Sequence, residues 1–375
     1  MVWQQFSTWF WNPDIWLPPN ITWIDLVPTD QNPYPNWNDL WTYPIVMAFL
    51  AIFIRFIILD KFVYGPIANY GGLKDVKPRA VEPNPIIEKL YFQFKTKPSE
   101  DKLTDCAKTL DWSERRVERW LRQRAAMGRV NKYTKFKECA WQFTYYSFIF
   151  VYGIYVMSSK PWMWDLNHCW YEYPFHSLNS DVWWYYIISL SFYWSMTFTH
   201  FFETKRKDFW QMFFHHLLTI CLITFSWITN LVRVGSLVLI IHDCADIPLQ
   251  GAKMLIYLGL KAQCDAVFAL FAVLWIITRV GIYPLYILKG TLFEATDIVP
   301  MFPGYYIFNS LLVMLFFLHV YWTYFILRII VNSMKKGKVE DDRSSSEVST
   351  LENKTDDDDV VKEISEEIVE EKKER

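Results

Sequence analysis

A chain of 375 residues with 52% hydrophobic and 19% aromatic side chains, including 20 Trp, is too apolar for an ordinary soluble protein and falls in the membrane class. Its mean hydropathy of +0.05 and formal net charge of -2 average long apolar runs with a charged middle region and a charged tail, so neither value describes any one segment. The six cysteines have no Cys-x-x-Cys pair or framework spacing, which argues against a disulfide scaffold or zinc site and for free or lipid-buried thiols.

Residues 1–39 contain no Lys or Arg, carry Asp14, Asp25, Asp30 and Asp39, and lack the basic start of a cleavable signal peptide. The positive-inside rule places this segment in the lumen, where the sequon Asn20-Ile21-Thr22 could accept a glycan. A first transmembrane helix is predicted over 40–62, with Arg55 and Asp60 snorkelling towards the cytosolic surface. Residues 63–129 turn basic and Pro-punctuated, and form a cytosolic module with helical periodicity over 99–127. The run from Trp112 to Arg124 resembles the turn and recognition helix of a homeodomain. The Asn with which homeodomains read adenine is replaced by Gln123, and the preceding stretch reads as too short and Pro-broken for a complete first helix. DNA is therefore disfavoured as a partner, and a basic module beside the membrane is favoured.

Further spans are predicted over 139–158, 183–202, 209–229, 235–249, 264–288 and 305–331, with an aromatic luminal loop at 159–182. The count of about seven sets every basic cluster on the cytosolic side, the N-terminus in the lumen and the C-terminus in the cytosol. The fold class expected is an all-α polytopic membrane protein. Residues 333–375 are Ser-rich and acidic, a composition that builds no core and predicts disorder. Ser344 and Ser349, each with Glu three residues on, are candidate phosphorylation sites.

The stretch 215–253 carries the chemistry. On the fourth span His215, Thr219, Ser226, Asn230 and Arg233 recur at helical spacing, if the helix runs that far. On the fifth, Gly235, Leu239, His242, Asp246, Gln250 and Lys253 do the same. Ionisable groups at membrane depth face a cavity or each other, so these stripes mark a functional site. Antiparallel packing brings His215 or His216 level with His242, Asp243 and Asp246, about 8 to 9 Å below the surface, whereas Arg233 is about 27 Å from His215 along a straight helix. A His beside a carboxylate serves as general base or as transient acyl acceptor; interhelical hydrogen-bond glue is the bland alternative. A metal centre is disfavoured. Di-iron membrane hydroxylases and desaturases use several His-rich boxes, and this chain has 7 His, of which His168 and His176 fall in the predicted luminal loop.

The same residues carry a family resemblance. His215-His216, Thr219, Phe225-Ser226, Asn230, Arg233-x-Gly235, Leu237-Val238, His242-Asp243, Asp246, Leu249 and Ala252-Lys253 follow, in order and spacing, the signature of the ceramide synthases of the Lag1 and TLC-domain family. The likeness extends over 130–332 as a TLC domain of six spans, and the homeodomain-like stretch before it resembles the homeobox-containing metazoan branch. Trp227, Ala245 and Gln250 depart from the usual Tyr, Ser and Glu. The resemblance implies N-acylation of a sphingoid base by a fatty acyl-CoA in the endoplasmic reticulum membrane. It implies no cofactor beyond these substrates, and leaves open a homo- or hetero-dimer with related synthases. It assigns catalysis to His215, His216, His242, Asp243 and Asp246. It assigns substrate contact to Lys205, Arg206, Lys207, Thr219, Ser226, Asn230, Arg233 and Lys253, the basic ones facing the CoA phosphates. It also links the loop from Leu288 to Pro303 with acyl-chain choice. Competing expectations are a non-enzymatic TLC-domain lipid sensor or chaperone, and a nuclear-envelope regulator acting through the module.

Overall fold

The computed structural model describes residues 2–75, 80–96, 98–127, 131–203 and 208–336, and among these every regular element is helical. The calls on Lys205, Arg206, Lys207, Ser344 and Ser349 and on the acidic tail lie outside the described residues. Two short helices, α1 (Val2–Phe10) and α2 (Pro13–Trp16), precede α3 (Trp37–Tyr70), which is π-wound over Ile54–Tyr64. Then come α4 (Pro85–Phe94), α5 (Glu100–Leu110) and α6 (Glu114–Met127). The remaining long helices are α7 (Lys132–Met157), α8 (Ser180–Thr199), α9 (Phe209–Ile228), α10 (Val232–Tyr257), α11 (Lys261–Asp297) and α12 (Pro303–Lys336).

This is a polytopic helical membrane protein. By length and composition α3, α9, α11 and α12 can each cross a bilayer. Helices α7, α8 and α10, of 26, 20 and 26 residues, are long enough but carry Tyr, Trp and the His242-Asp243 pair, which lower their hydropathy. Their most polar faces turn inward: Gln142, Ser189, Ser195, His242 and Asp243 are all buried. Helices α3, α7, α10, α11 and α12 start or end several residues outside the boundaries read from apolar content, because they continue into more polar residues.

Two expectations need correction. The module does have a helix before the homeodomain-like run. Pro85 does not break α4 but starts it, sitting in its first turn after Asn84, whose side chain accepts from the Ile86 amide at 3.0 Å. Ile87 then packs with Leu103, Ala107, Val117, Trp120 and Leu121 in a small core of its own. Nor do Arg55 and Asp60 snorkel. Both are buried: Arg55 is ion-paired with Glu203 after α8, and Asp60 lies 3.6 Å from Lys137 on α7. A charge shielded from water needs such a counter-charge.

At the opposite end of the bundle the Trp-rich N-terminal segment folds over the helices. Trp11 and Trp23 meet Trp37 with ring centroids 4.6 and 5.2 Å apart, Trp16 stacks on Phe225 of α9 at 4.8 Å, and Trp227 donates to the Asn36 carbonyl at 2.9 Å. None of the six cysteines, all among the described residues, forms a disulfide.

Breaking a buried pair leaves one charge stranded, at a cost of about 3 to 5 kcal/mol. Glu203→Ala is therefore expected to lower the thermal midpoint clearly, and Arg55→Met combined with Glu203→Leu to recover most of the loss, as read by melting in detergent.

Candidate active site

Helices α9 and α10 are joined by the turn Thr229 to Leu231, so they form an antiparallel hairpin. Asn230 makes the turn with φ of 56°, a left-handed conformation that Asn tolerates better than most residues. Its side-chain amide donates to the carbonyls of Pro174 at 2.6 Å and His176 at 2.8 Å, tying the loop after α7 to the hairpin tip. Tyr173 reinforces this by donating to the Thr229 carbonyl at 2.9 Å.

Between α9, α10 and α12 lies a narrow cavity. Its α9 wall presents His215, Thr219, Leu222, Ile223 and Ser226; its α10 wall presents Gly235, Val238, Leu239 and His242. Phe308, Leu312 and Leu315 of α12 close the third side, and Tyr193 of α8 also reaches it. The histidines gather towards the end nearer the Arg55–Glu203 pair, while Ser226 and Gly235 mark the end under the aromatic segment. From His215 to Ser226 the wall extends for about 16 Å of helix rise. Most of the lining is aliphatic.

Gly235 is required by close approach. A Cβ there would come within 1.7 Å of the Tyr186 hydroxyl, which bonds to Ser226 Oγ and to the Val232 carbonyl, each at 3.1 Å. A side chain would therefore displace Tyr186 from both bonds and loosen the far end of the cavity.

The imidazoles point in different directions. His215 lines the cavity, its ring edge-on to Trp322 of α12 at 5.3 Å, and its Nδ1 is buried without a hydrogen-bond partner. His216, the next residue round the helix, instead faces α8, with Tyr193 at 6.4 Å and His200 at 5.5 Å. His242 has Nδ1 at 2.6 Å from the Val238 carbonyl and Nε2 at 3.0 Å from Nε2 of His319. The Asp243 carboxylate accepts from Tyr185 at 3.3 Å, and both oxygens of Asp246 lie 3.3 Å from Nη2 of Arg279, which also donates to the His242 carbonyl at 2.7 Å.

Of the residues singled out by sequence, the structure thus brings His215, Thr219, Ser226 and His242 to one cavity. Asn230 holds the hairpin turn. Arg233 starts α10 at the far end, donating to the His168 carbonyl and lying over the Trp162 ring at 4.9 Å. Lys253 sits near the other end of α10, with Nζ 3.5 Å from Gln250 Oε1. Asn20 is exposed. Sequence reasoning passed over His319, Arg279, Tyr185 and Tyr193. The signal for the first two was present, because an Arg and a His inside otherwise apolar spans meet the same criterion that marked 215–253.

The chain matches the TLC domain profile over residues 135–328. It is 41% identical to human ceramide synthase 5 over 347 residues, which cover 92% of this chain and 88% of that protein. It is 37% identical to human ceramide synthase 4, covering 92% and 88% of the two chains. With ceramide synthase hyl-1 of Caenorhabditis elegans it shares 33% identity, covering 90% and 84%. The chain belongs to the Lag1 and TLC-domain family, in its ceramide synthase group.

The loop tied to the hairpin tip carries its own titratable switch. His176 is pushed down to about 4, first by burial and then by the positive charge of Arg233 nearby, while its Nε2 lies 2.7 Å from the Tyr171 carbonyl. An unfolded His takes up its proton near pH 6.5. The loop's contribution is therefore complete above that pH and declines as pH falls through about 4, by roughly 3 kcal/mol in all. Melting of wild type between pH 7 and 4 should show this decline, and His176→Gln should flatten it.

Proposed function

We propose that this protein is a ceramide synthase: it transfers the acyl group of a fatty acyl-CoA to the amine of a sphingoid base, giving ceramide or dihydroceramide and free CoA. One observation carries the reading. His215 and His242 stand together at one end of a mostly apolar cavity, in a chain of the ceramide synthase group. Such a cavity suits an acyl chain, and its polar end suits the thioester. The CoA moiety, too polar for the bundle, stays at the surface beyond His215, where Lys253 supplies positive charge for its phosphates.

The chemistry asks for one proton acceptor. The amine nitrogen bonds to the thioester carbon, the C–S bond breaks, the proton shed by nitrogen passes to an imidazole, and it returns to the thiolate as CoA leaves. The Nδ1 of His215, buried and unpartnered, is the acceptor we assign. The same nitrogen can instead carry the acyl group between thioester and amine. Asp246, paired with Arg279, serves as a fixed charge, and Tyr185 orients the Asp243 carboxyl.

About seven spans, with the N-terminus in the endoplasmic reticulum lumen, would set Asn20 in reach of glycosylation and the CoA end in the cytosol. Glycosidase sensitivity of the wild type, lost in Asn20→Gln, tests that orientation.

Purified protein given a sphingoid base and an acyl-CoA series should form N-acyl product. His215→Ala should lower turnover by at least about 10²-fold, the usual scale for losing a general base. No product from wild type with any chain length sinks the reading; full turnover by His215→Ala sinks the assignment of His215. Mass spectrometry without amine acceptor separates the two routes, since only acyl transfer through the ring leaves an adduct on His215. Leu312→Trp, which fills the middle of the cavity, is expected to shift the preferred substrate to shorter chains.

A further inference from the structure

His319 on α12 is the most deeply buried imidazole in contact with the site, at 1% exposure, and it touches His242 directly. The hydrogen positions along this contact follow from elementary donor and acceptor rules. A carbonyl oxygen has no hydrogen to give, so the 2.6 Å contact between His242 Nδ1 and the Val238 carbonyl requires that Nδ1 carry the hydrogen. In the neutral ring Nε2 is then bare. Nε2 of His319 stands 3.0 Å from it, and two bare nitrogens do not bond, so His319 must donate from Nε2 and keep a bare Nδ1. That Nδ1 is buried and has no partner.

We propose that His319 is a positioning residue of the acyl-transfer site, fixing the Nδ1–H tautomer of His242 and forming with it a hydrogen-bonded two-imidazole unit. The proposal rests on the acyl-transfer reading above. The lone pair of His242 is already engaged, so His242 takes no proton from the cavity by itself. The amine proton therefore passes to Nδ1 of His215, the acceptor assigned above. The neutral His242–His319 unit keeps its orientation beside the imidazolium that forms, and the proton is later returned from His215 to the departing thiolate. Nothing is oxidised or reduced.

The surroundings hold the pair without competing for it. Tyr283 stands edge-on to both rings, at 5.3 Å from His242 and 5.0 Å from His319, but its hydroxyl is given to the Leu312 carbonyl at 2.9 Å. Trp275 faces His319 at 6.0 Å, with its indole N–H donated to Thr323 at 2.9 Å. Thr323 in turn donates to the His319 carbonyl at 2.7 Å, so α11 fixes the backbone that carries the ring. The charged and titratable groups around the unit are Arg279 from α11 with Asp246 of α10 paired to it, His215 from α9 across the cavity, and Tyr193 from α8; Asp243 of α10 turns away to Tyr185.

The test compares His319→Leu with His319→Asn. Leucine removes the donor to His242 and frees its Nε2 lone pair, which then takes up a proton more readily. The acid limb of kcat/KM should then move to higher pH by about one unit, the worth of one hydrogen bond, with kcat falling at least about tenfold. Asparagine keeps a donor for the bare Nε2 of His242 and an acceptor once that ring is charged, so its acid limb should return close to wild type. If both variants keep the wild-type profile, or both shift equally, His319 only fills space and the proposal is wrong. A second measurement needs no turnover and so stands apart from the acyl-transfer reading. Solid-state NMR of wild type carrying ¹⁵N-histidine, assigned against His319→Asn, should show His242 protonated on Nδ1 and His319 on Nε2. A His242 protonated on Nε2 overturns the proposal.

Discussion

Hydrocarbon offers no hydrogen bonds, so each polar group carried into this bundle must find its partner within the protein. That constraint organises the structure. Arg55 is held by Glu203, Asp60 by Lys137, Arg279 by Asp246 and the His242 carbonyl, and Asp243 by Tyr185. Arg55 and Arg279 share a further property. Arg55 lies in the π-wound part of α3, and Arg279 in the π-wound stretch Ile276–Leu288 of α11. A π turn widens the helix and re-aims its side chains, and such turns concentrate at functional positions. Some buried atoms keep no partner, and among them the Nδ1 atoms of His215 and His319 matter for the site, because the first borders the mostly apolar cavity and the second belongs to the ring that touches His242.

The cavity and the ion pairs divide the polar stretch 215–253 into two kinds of work. Where α10 faces α9 and α12, its residues Gly235, Leu239 and His242 line empty space. One turn beyond His242, Asp246 points to Arg279 on α11 instead. Adjacent residues are split in the same way: His215 reaches the cavity while His216 meets Tyr193 and His200, and His242 meets His319 while Asp243 meets Tyr185. A step of about 100° between neighbours on a helix makes that separation unavoidable. The doublets His-His and His-Asp therefore each place one member in the cavity and one in the wall.

Much of this was legible in the sequence because it repeats with the helix period. The spacing of His215, Thr219 and Ser226, and of Gly235, Leu239 and His242, is enough to predict that each set shares a face, and all six line the cavity. Asn230 and Arg233 fell off the predicted face because the helix ends at Ile228, and a left-handed Asn turn leaves little local signal. What stayed hidden depends on residues far apart in the chain. Arg55 and Glu203 are 148 positions apart, and His242 and His319 are 77 apart, so no local pattern links them. Pro85 misled for a different reason: proline stops a helix from within but begins one at its first turn, and only the Asn84 cap distinguishes the two.

The tight turn between α9 and α10 also sets an order of assembly. His215 and His242 lie on the two arms of one hairpin, whose contacts are close in sequence and form early. His319 and the wall of Phe308, Leu312 and Leu315 belong to α12, the last helix described. During synthesis the hairpin is complete while that wall has yet to emerge, since chains are made from the N-terminus. Two histidines facing each other are thus an unfinished site, and the final helix acts as a licence, supplying cavity and imidazole partner together only once the whole bundle is in place.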